Sequence, residues 1–409
     1  MDTSQILMIF FGGLLPLTAF AYYLGRRRAV AFTTHGTRMH SLPGQYGTVV
    51  AVWVALPALA LASVAAVAGL AGVEVPAAPF VFVACLLVAA GGLGLGLRTV
   101  HPRMRARTAI DRMMYFLLLG ASLISILTTF GIVISILFES LKFFSMVSVW
   151  EFVTGTTWSP VAHYRAGQVT AESQFGAVPL FAGTFMITLI AMAVAVPIGL
   201  FSAIYMSEYA SFKVRSTAKP MLEILAGIPT VVYGFFAAIT VSPLVVSVAD
   251  SLGLDASATN ALAPGLVMGI MIIPFISSLS DDVINSIPNS LREGSYALGA
   301  TKSETIKKVL LPAAFPGIMA ATLLGVSRAL GETMIVVMAA GQRANLSANP
   351  LEDMTTVTVR IVSALTGDQA FDSPETLSAF GLGLALFVVT LVLNLVSIIV
   401  IRRFRQSYE

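Results

Sequence analysis

Long apolar runs constrain this chain more than any other feature. Nine stretches read as spans: residues 5–24, 48–72, 79–97, 113–138, 179–206, 221–248, 261–280, 314–340 and 376–401. An α-helix needs about 20 apolar residues to cross a hydrocarbon core, and these runs match that length. In lipid each segment must satisfy its own backbone N–H and C=O groups, so the runs read as helices. The alternation of a membrane β-barrel is missing. The expected fold class is therefore an all-α polytopic membrane protein of about nine transmembrane helices. Composition agrees: 11% of the 409 residues are charged and 57% are hydrophobic, whereas a soluble domain carries about 25% charged residues.

The net charge is only +3, and the placement of the charges says more than their sum. Arg26, Arg27, Arg28 and Arg38 follow the first span. Arg98, Arg103, Arg105, Arg107 and Arg112 follow the third. Lys213, Arg215 and Lys219 come after the fifth, Arg292, Lys302, Lys307 and Lys308 after the seventh, and Arg402, Arg403 and Arg405 close the chain. The alternate connections hold only Lys142, Arg165, Arg343 and Arg360. The positive-inside bias then expects the amino terminus outside (periplasmic) and the carboxyl terminus in the cytoplasm. Asp2 precedes the first apolar run and the arginines follow it, the reverse of a cleaved signal peptide, so the run reads as a retained span.

Several chemistries fall away. Cys85 is the only cysteine and sits in an apolar run, so no intrachain disulfide or cysteine-based metal site is expected. His35 and His40 share a basic loop but have no carboxylate or thiol beside them, a poor metal site. No metal, cofactor or nucleic-acid partner is expected for the chain itself; membrane lipid surrounds it.

Two parts are expected. Residues 1–112 form an extension of three spans and a basic linker, and residues 113–409 form a core of six spans. Between spans four and five lies an outer segment, 139–178, with Trp150 and Trp158. Its aromatic rings anchor at the interface, or the segment is a lid or docking surface. Between spans seven and eight lies a cytoplasmic loop, 281–312. Within it Thr301 is placed to cap a short helix with Glu304 three residues on, and Gly299 allows a sharp bend just before. Pro312 is expected to stop or re-aim the chain, and Leu298, Ile306 and Leu310 to form an apolar side that fits a partner's groove.

The spacing of Glu293, Gly299, Leu311 and Pro312 resembles the coupling loop of ABC importer permeases. Gly294 and Ser295 stand where that family has two alanines, and Val309 where it has isoleucine. The resemblance implies that Glu293, Gly299, Ala300, Thr301, Leu311 and Pro312 contact an ATPase. The chain has no phosphate loop of its own: Lys302-Ser303 lacks the glycine frame, and Gly92-Leu-Gly-Leu-Gly96 sits inside a span where small residues serve packing. ATP-Mg is therefore expected in a partner ATPase, and no enzyme in this chain.

Span eight carries Ser327, Arg328, Glu332 and Thr333. Arg328 and Glu332 are four apart and are expected on one helix face. A charge at the bilayer centre costs about 2.5–3.5 kcal/mol even on lenient scales, so the pair is either a structural ion pair or an anion station in the substrate pathway. A guanidinium fork matches an oxyanion. This stretch, with Trp158-Ser-Pro160, Gly183-Thr184, Pro197-Ile-Gly-Leu200, Glu208, Gly227-Ile-Pro-Thr230 and Val232-Tyr-Gly234, resembles the PstC-type phosphate permeases over residues 113–405. That resemblance implies a six-helix importer core in the bacterial inner membrane. It also implies a heterodimer with a PstA-type permease, two PstB-type ATPase subunits and a PstS-type periplasmic phosphate-binding protein. Arg328 by itself fits sulfate or molybdate as well, and a phosphate-sensing membrane component is a further reading. A secondary carrier would show inverted repeats and has no use for the loop.

Overall fold

A computed structural model describes residues 9–34, 39–70, 76–160, 173–366 and 372–404. His35, Arg38, His163, Arg165, Arg405 and the middle of the outer segment lie outside the described residues, as does the start of the first expected span. The chain divides into two compact units, Met1–Phe130 and Gly131–Glu409.

In the first unit a π-helical turn, Ile9–Leu14, leads into α1 (Leu15–Thr34), followed by α2 (Pro43–Leu70) and α3 (Ala78–Thr99). Their core holds Ala21, Tyr46, Val50, Val54, Cys85 and Ala89. Glycines let the backbones touch: a Cβ at Gly92 would strike the Trp53 carbonyl, and one at Gly96 would press on Trp53 and Val50. The glycine-rich run is thus a packing seam. Cys85 Sγ donates to the Ala58 carbonyl at 3.6 Å.

The unit boundary falls within α4 (Ala106–Met146). Beyond it the second unit contains a short α5 (Val149–Thr154), then β1 (Trp158–Ser159) paired antiparallel with β2 (Gln174–Phe175), Trp158 opposite Phe175. Next come α6 (Val178–Ile204), α7 (Phe212–Gly227), α8 (Thr230–Phe236), α9 (Ser242–Ser251) and α10 (Leu262–Ser286). After α10 follow α11 (Asn289–Ala297), α12 (Lys302–Thr305), α13 (Leu311–Leu330), α14 (Met334–Ala339), α15 (Val357–Thr366) and α16 (Pro374–Phe404). α6 and α10 pack through Ile187, Ala191, Met268, Ile272 and Ile276. Gly269 lies against the Ala191 backbone, where a Cβ would come within 2.9 Å of the carbonyl. An aromatic cluster of Phe143, Phe152, Trp158 and Phe175 closes one end, each ring meeting a neighbour edge to face.

Among the described residues, eight helical segments are long and apolar enough to cross a membrane. The segment expected as the first of nine is not among them; its described part runs on as helix through Arg26–Arg28 to Thr34. Other expected spans differ in extent; the one at 113–138 lies within a longer helix, Ala106–Met146. Residues 221–248 are not one helix. Ile228 is extended (ψ 130°) because Pro229 follows it, and a residue before proline is pushed out of the helical region. That break leaves α7 as a separate amphipathic helix with no buried residue, and the span is Thr230–Ser251. Span eight is displaced toward its amino end: the helical segment runs Lys302–Leu330, and the chain turns at Gly331 before α14.

Candidate functional site

The loop between α10 and α13 is built from two capped helices set against each other. α11 ends in a Schellman motif: Gly299 N–H donates to the Tyr296 carbonyl at 2.9 Å and Ala300 N–H to the Ser295 carbonyl at 3.2 Å. This turn requires a left-handed residue, and Gly299 supplies it with φ +82°. Thr301 then caps α12 in the expected capping box. Glu304 N–H donates to Thr301 Oγ1 at 3.3 Å, and Thr301 N–H to Glu304 Oε2 at 3.0 Å. Ser295 and Thr305 hydroxyls, 2.8 Å apart, join the two helices.

The loop's apolar residues divide between two faces, contrary to the single apolar side expected. Ile306 and Leu310 are buried against Ala203, Ile284, Ala314 and Ile318, whereas Leu298 is 91% exposed at the tip. Pro312 also differs from expectation, for the helix passes through it. Pro312 occupies the first turn of α13, directly after a π-helical turn, Ile306–Leu310. A wider turn takes up the clash that the proline ring makes with the carbonyl four residues back. Leu311 lies beside it at the helix junction, half-buried. Glu293 and Thr301 are exposed near the tip.

Two ionic anchors escaped the sequence reading. Arg292 of α11 donates from Nε and Nη2 to Glu208 Oε1, at 3.1 and 3.0 Å. Its remaining N–H groups reach the Ile284 and Ile287 carbonyls, both at 2.8 Å. One guanidinium thus grips the π-helical turn that continues α6 (Tyr205–Tyr209), the end of α10 and the loop helix. The second anchor is Asp281, fully buried, which accepts from Arg215 Nη2 at 3.0 Å and Lys219 Nζ at 3.1 Å, and from Asn285 Nδ2 at 2.8 Å. The hydrogen bond to Asp281 raises the Lys219 pKa. The ion-paired partners are 62 to 84 residues apart, and sequence periodicity carries no signal at that range.

Arg328 closes the last turn of α13 and is exposed in the single chain. Its guanidinium lies over the Phe275 ring, 5.7 Å from the centroid, a cation–π placement. It shares a cavity of about 220 Å³ with Phe275 and Ser278 of α10 and with Lys219 and Glu223 of α7. The expected helix face shared with Glu332 is absent, because the helix ends before Glu332. No ion pair joins the two among the described residues. Glu332 instead accepts from Met334 N–H at 3.2 Å, at the start of α14, and its carbonyl accepts from Thr358 Oγ1. Ser327 points to Asn394 of α16, 3.3 Å away, and Thr333 bonds to the Gly331 carbonyl. Arg328 therefore sits with α7 and α10, and the other three serve the turn and α16.

At the far end of α10 a second polar group gathers around the 340–356 connection, which bonds to the start of α10 through Ala261 N–H to the Glu352 carbonyl. Arg360 Nη2 donates to the Gln342 carbonyl, while Arg360 Nε, Asp353 Oδ1 and Trp158 Nε1 are buried without a partner among the described residues. Burial pushes the Asp353 carboxyl up, against the opposing pull of Arg343 and Arg360. Gly341 has no room for a Cβ beside Asp353.

The fold and the loop define a polytopic helical membrane protein that presents a capped, exposed loop anchored to its span ends. The chain belongs to the binding-protein-dependent transport system inner membrane component family, whose profile matches residues 195–409. A second profile, described as phosphate ATP-binding cassette transporter, matches residues 12–77, in the three-helix extension where sequence reasoning found no functional signal. Among its relatives, the probable ABC transporter permease protein YqgH of Bacillus subtilis is 37% identical over 244 residues, 60% of this chain and 75% of that one. The phosphate transport system permease protein PstC of Mesorhizobium japonicum is 32% identical over 286 residues (66% and 84%), and that of Haemophilus influenzae 30% over 323 residues (75% and 95%). A solved bacterial alginate ABC transporter, in complex with its alginate pentasaccharide-bound periplasmic protein, shares the fold with TM-score 0.51 at 16% identity. That match covers 75% of this chain and 99% of that one.

Proposed function

We propose that this chain is one permease half of an ATP-driven importer of inorganic phosphate. The loop Glu293–Pro312 faces the cytoplasm and docks on an ATPase, with the amino terminus periplasmic and the carboxyl terminus cytoplasmic. The partners are a PstA-type permease, two PstB-type ATPase subunits that bind ATP-Mg, and a PstS-type periplasmic phosphate-binding protein. The observation that carries this reading is the loop itself: Leu298 stands exposed on a glycine turn, while Arg292 ties the same short helix to α6 and α10. An apolar tip fits a partner's groove, and a rigid anchor passes its displacement to the spans.

The chemistry follows from that anchor. Movement of α11 pulls on Glu208 at the end of α6 and on the last carbonyls of α10. α10 is tied through Asp281 to α7, and α7 supplies Lys219 and Glu223 to the Arg328 cavity. Displacement of the loop therefore reshapes the cavity. Arg328 has no hydrogen-bonded acceptor among the described residues, so its fork is free for an oxyanion. Glu223 in the same cavity offsets the positive charge, which favours release of the anion. Phosphate as cargo is supported by the relatives named for phosphate transport. Affinity purification of the tagged chain tests the assembly: a second permease and an ATPase co-purify if the reading is right, and a chain that transports when isolated alone contradicts it.

A further inference from the structure

The Arg328 cavity is not the only place suited to an anion. We infer that a second cavity, of about 180 Å³ and lined by Trp158, Arg360, Ser363, Glu375 and Ser378, is an oxyanion site that selects protonated inorganic phosphate over fully ionised anions. The inference rests on the phosphate reading above and adds to it a site and a basis for discrimination.

Two buried donors carry the argument. Trp158 is 8% exposed, and its Nε1 has no acceptor among the described residues. An indole N–H can only donate. Arg360 spends Nη2 on the Gln342 carbonyl, and its Nε is likewise buried and unpartnered. Asp353 offsets part of the Arg360 charge but makes no hydrogen bond to Nε; buried donors are nearly always paired, so two left open on residues that line one cavity call for a further acceptor. An oxyanion has the charge and lone pairs to satisfy both.

Glu375 gives the site its selectivity. It lies in the first turn of α16 and lines the same cavity. An ionised carboxylate only accepts hydrogen bonds. Ser378 is also turned into an acceptor, because its hydroxyl proton goes to the Glu375 carbonyl at 2.6 Å. At neutral pH inorganic phosphate still carries an O–H, which Glu375 can accept, while its remaining oxygens meet Trp158 and Arg360. Sulfate and molybdate carry no such proton, and neither does the phosphodiester of a lipid headgroup. Each would set a bare anionic oxygen against Glu375. A site built to hydrogen-bond a ligand O–H rejects analogues that lack it. The sequence alone reads Trp158 as an interfacial ring, part of a lid or docking surface and part of the permease resemblance, and Arg360 as a loop cation; it does not bring the two together, since their meeting depends on the pairing of β1 with β2 and the packing of α15 on α16.

The test is equilibrium binding of radiolabelled phosphate and sulfate to the permease–ATPase complex in phosphatidylcholine nanodiscs, prepared without the periplasmic binding protein and with Arg328→Gln introduced so that the first station is removed. Phosphate should still bind, and sulfate should not displace it. Adding Arg360→Gln should weaken binding on the order of tenfold or more, as for loss of a charged donor. Trp158→Phe keeps an aromatic ring in the cluster while removing the N–H, and should weaken binding on the order of fivefold. Glu375→Gln should let sulfate compete on the order of tenfold better, because the like-charge opposition is gone. The inference is overturned if the Arg328→Gln complex binds no phosphate. It is also overturned if sulfate competes equally with Glu375 in place, or if Arg360→Gln alters docking of the periplasmic binding protein but not phosphate binding. ATP-dependent phosphate uptake by the unmutated complex is a separate readout: its absence removes the phosphate reading itself, and its presence beside unaltered binding in these variants removes only the second site.

Discussion

At the residue scale, Arg328 is the side chain whose replacement tells most. It lies over an aromatic ring and makes no ion pair among the described residues, so neutralising it breaks no salt bridge. Arg328→Gln should therefore abolish uptake while the complex still assembles at wild-type yield. Arg328→Lys should also transport poorly, since a point charge does not reproduce the planar fork. Uptake rates and pull-down yields for both variants check this, and wild-type uptake by Arg328→Gln counts against an anion station. Glu208 and Arg292 should behave in the opposite way. They are 7% and 14% exposed, and removing one partner of a buried pair costs about 3–5 kcal/mol. Arg292→Ala should lower the thermal midpoint and the yield of the complex, and restoring neither by added phosphate would mark the loss as structural. Asp353 supplies a pH dependence. Its folded pKa is raised by burial, so its contribution to stability is full below the unfolded carboxylate value and is lost as pH rises through the raised folded value. Asp353→Asn should flatten that part of the stability-versus-pH curve, measured by thermal unfolding in detergent.

At the scale of elements, the loop separates what was legible in the sequence from what was not. The Thr301–Glu304 capping box and the glycine turn were legible because a cap and a left-handed residue are local: their partners lie within a few positions. The spans were legible for the same reason, as apolar length needs no tertiary information. The break at Ile228 was missed within the expected span 221–248 because Ile228–Pro229 sits in a continuous apolar run, and only the extended backbone before Pro229 divides it. Glu332 was put on the wrong element because the turn at Gly331 is likewise hidden in apolar sequence. The ion pairs of Arg292 and Asp281 were out of reach, since each joins segments 62 to 84 residues apart in the chain. Gly299→Leu bears on the loop directly. A side chain at φ +82° costs about 1–2 kcal/mol, yet a Cβ there meets no neighbour. The variant should insert and assemble, but ATP hydrolysis should no longer drive uptake. Normal coupling in a paired hydrolysis and uptake assay would rule out the loop's role.

For the whole molecule, orientation and cargo remain the claims that unite the parts. Cys85 is the only cysteine, and its replacement gives a background for single-site labelling. Leu298→Cys, at a 91% exposed position, and Trp150→Cys, at a 77% exposed one, should be labelled by an impermeant reagent from opposite faces. Position 298 should react only from the cytoplasmic face, and labelling of both from one face would overturn the proposed orientation. The central claim is an ATP-driven path for phosphate through this chain. Uptake of labelled phosphate, sulfate and molybdate into vesicles holding the assembled complex, with ATP supplied on the loop side, measures it directly. The account predicts accumulation of phosphate that stops without ATP, and little of the other two anions; phosphate entry that ignores ATP, or sulfate or molybdate entering in its place, would contradict it.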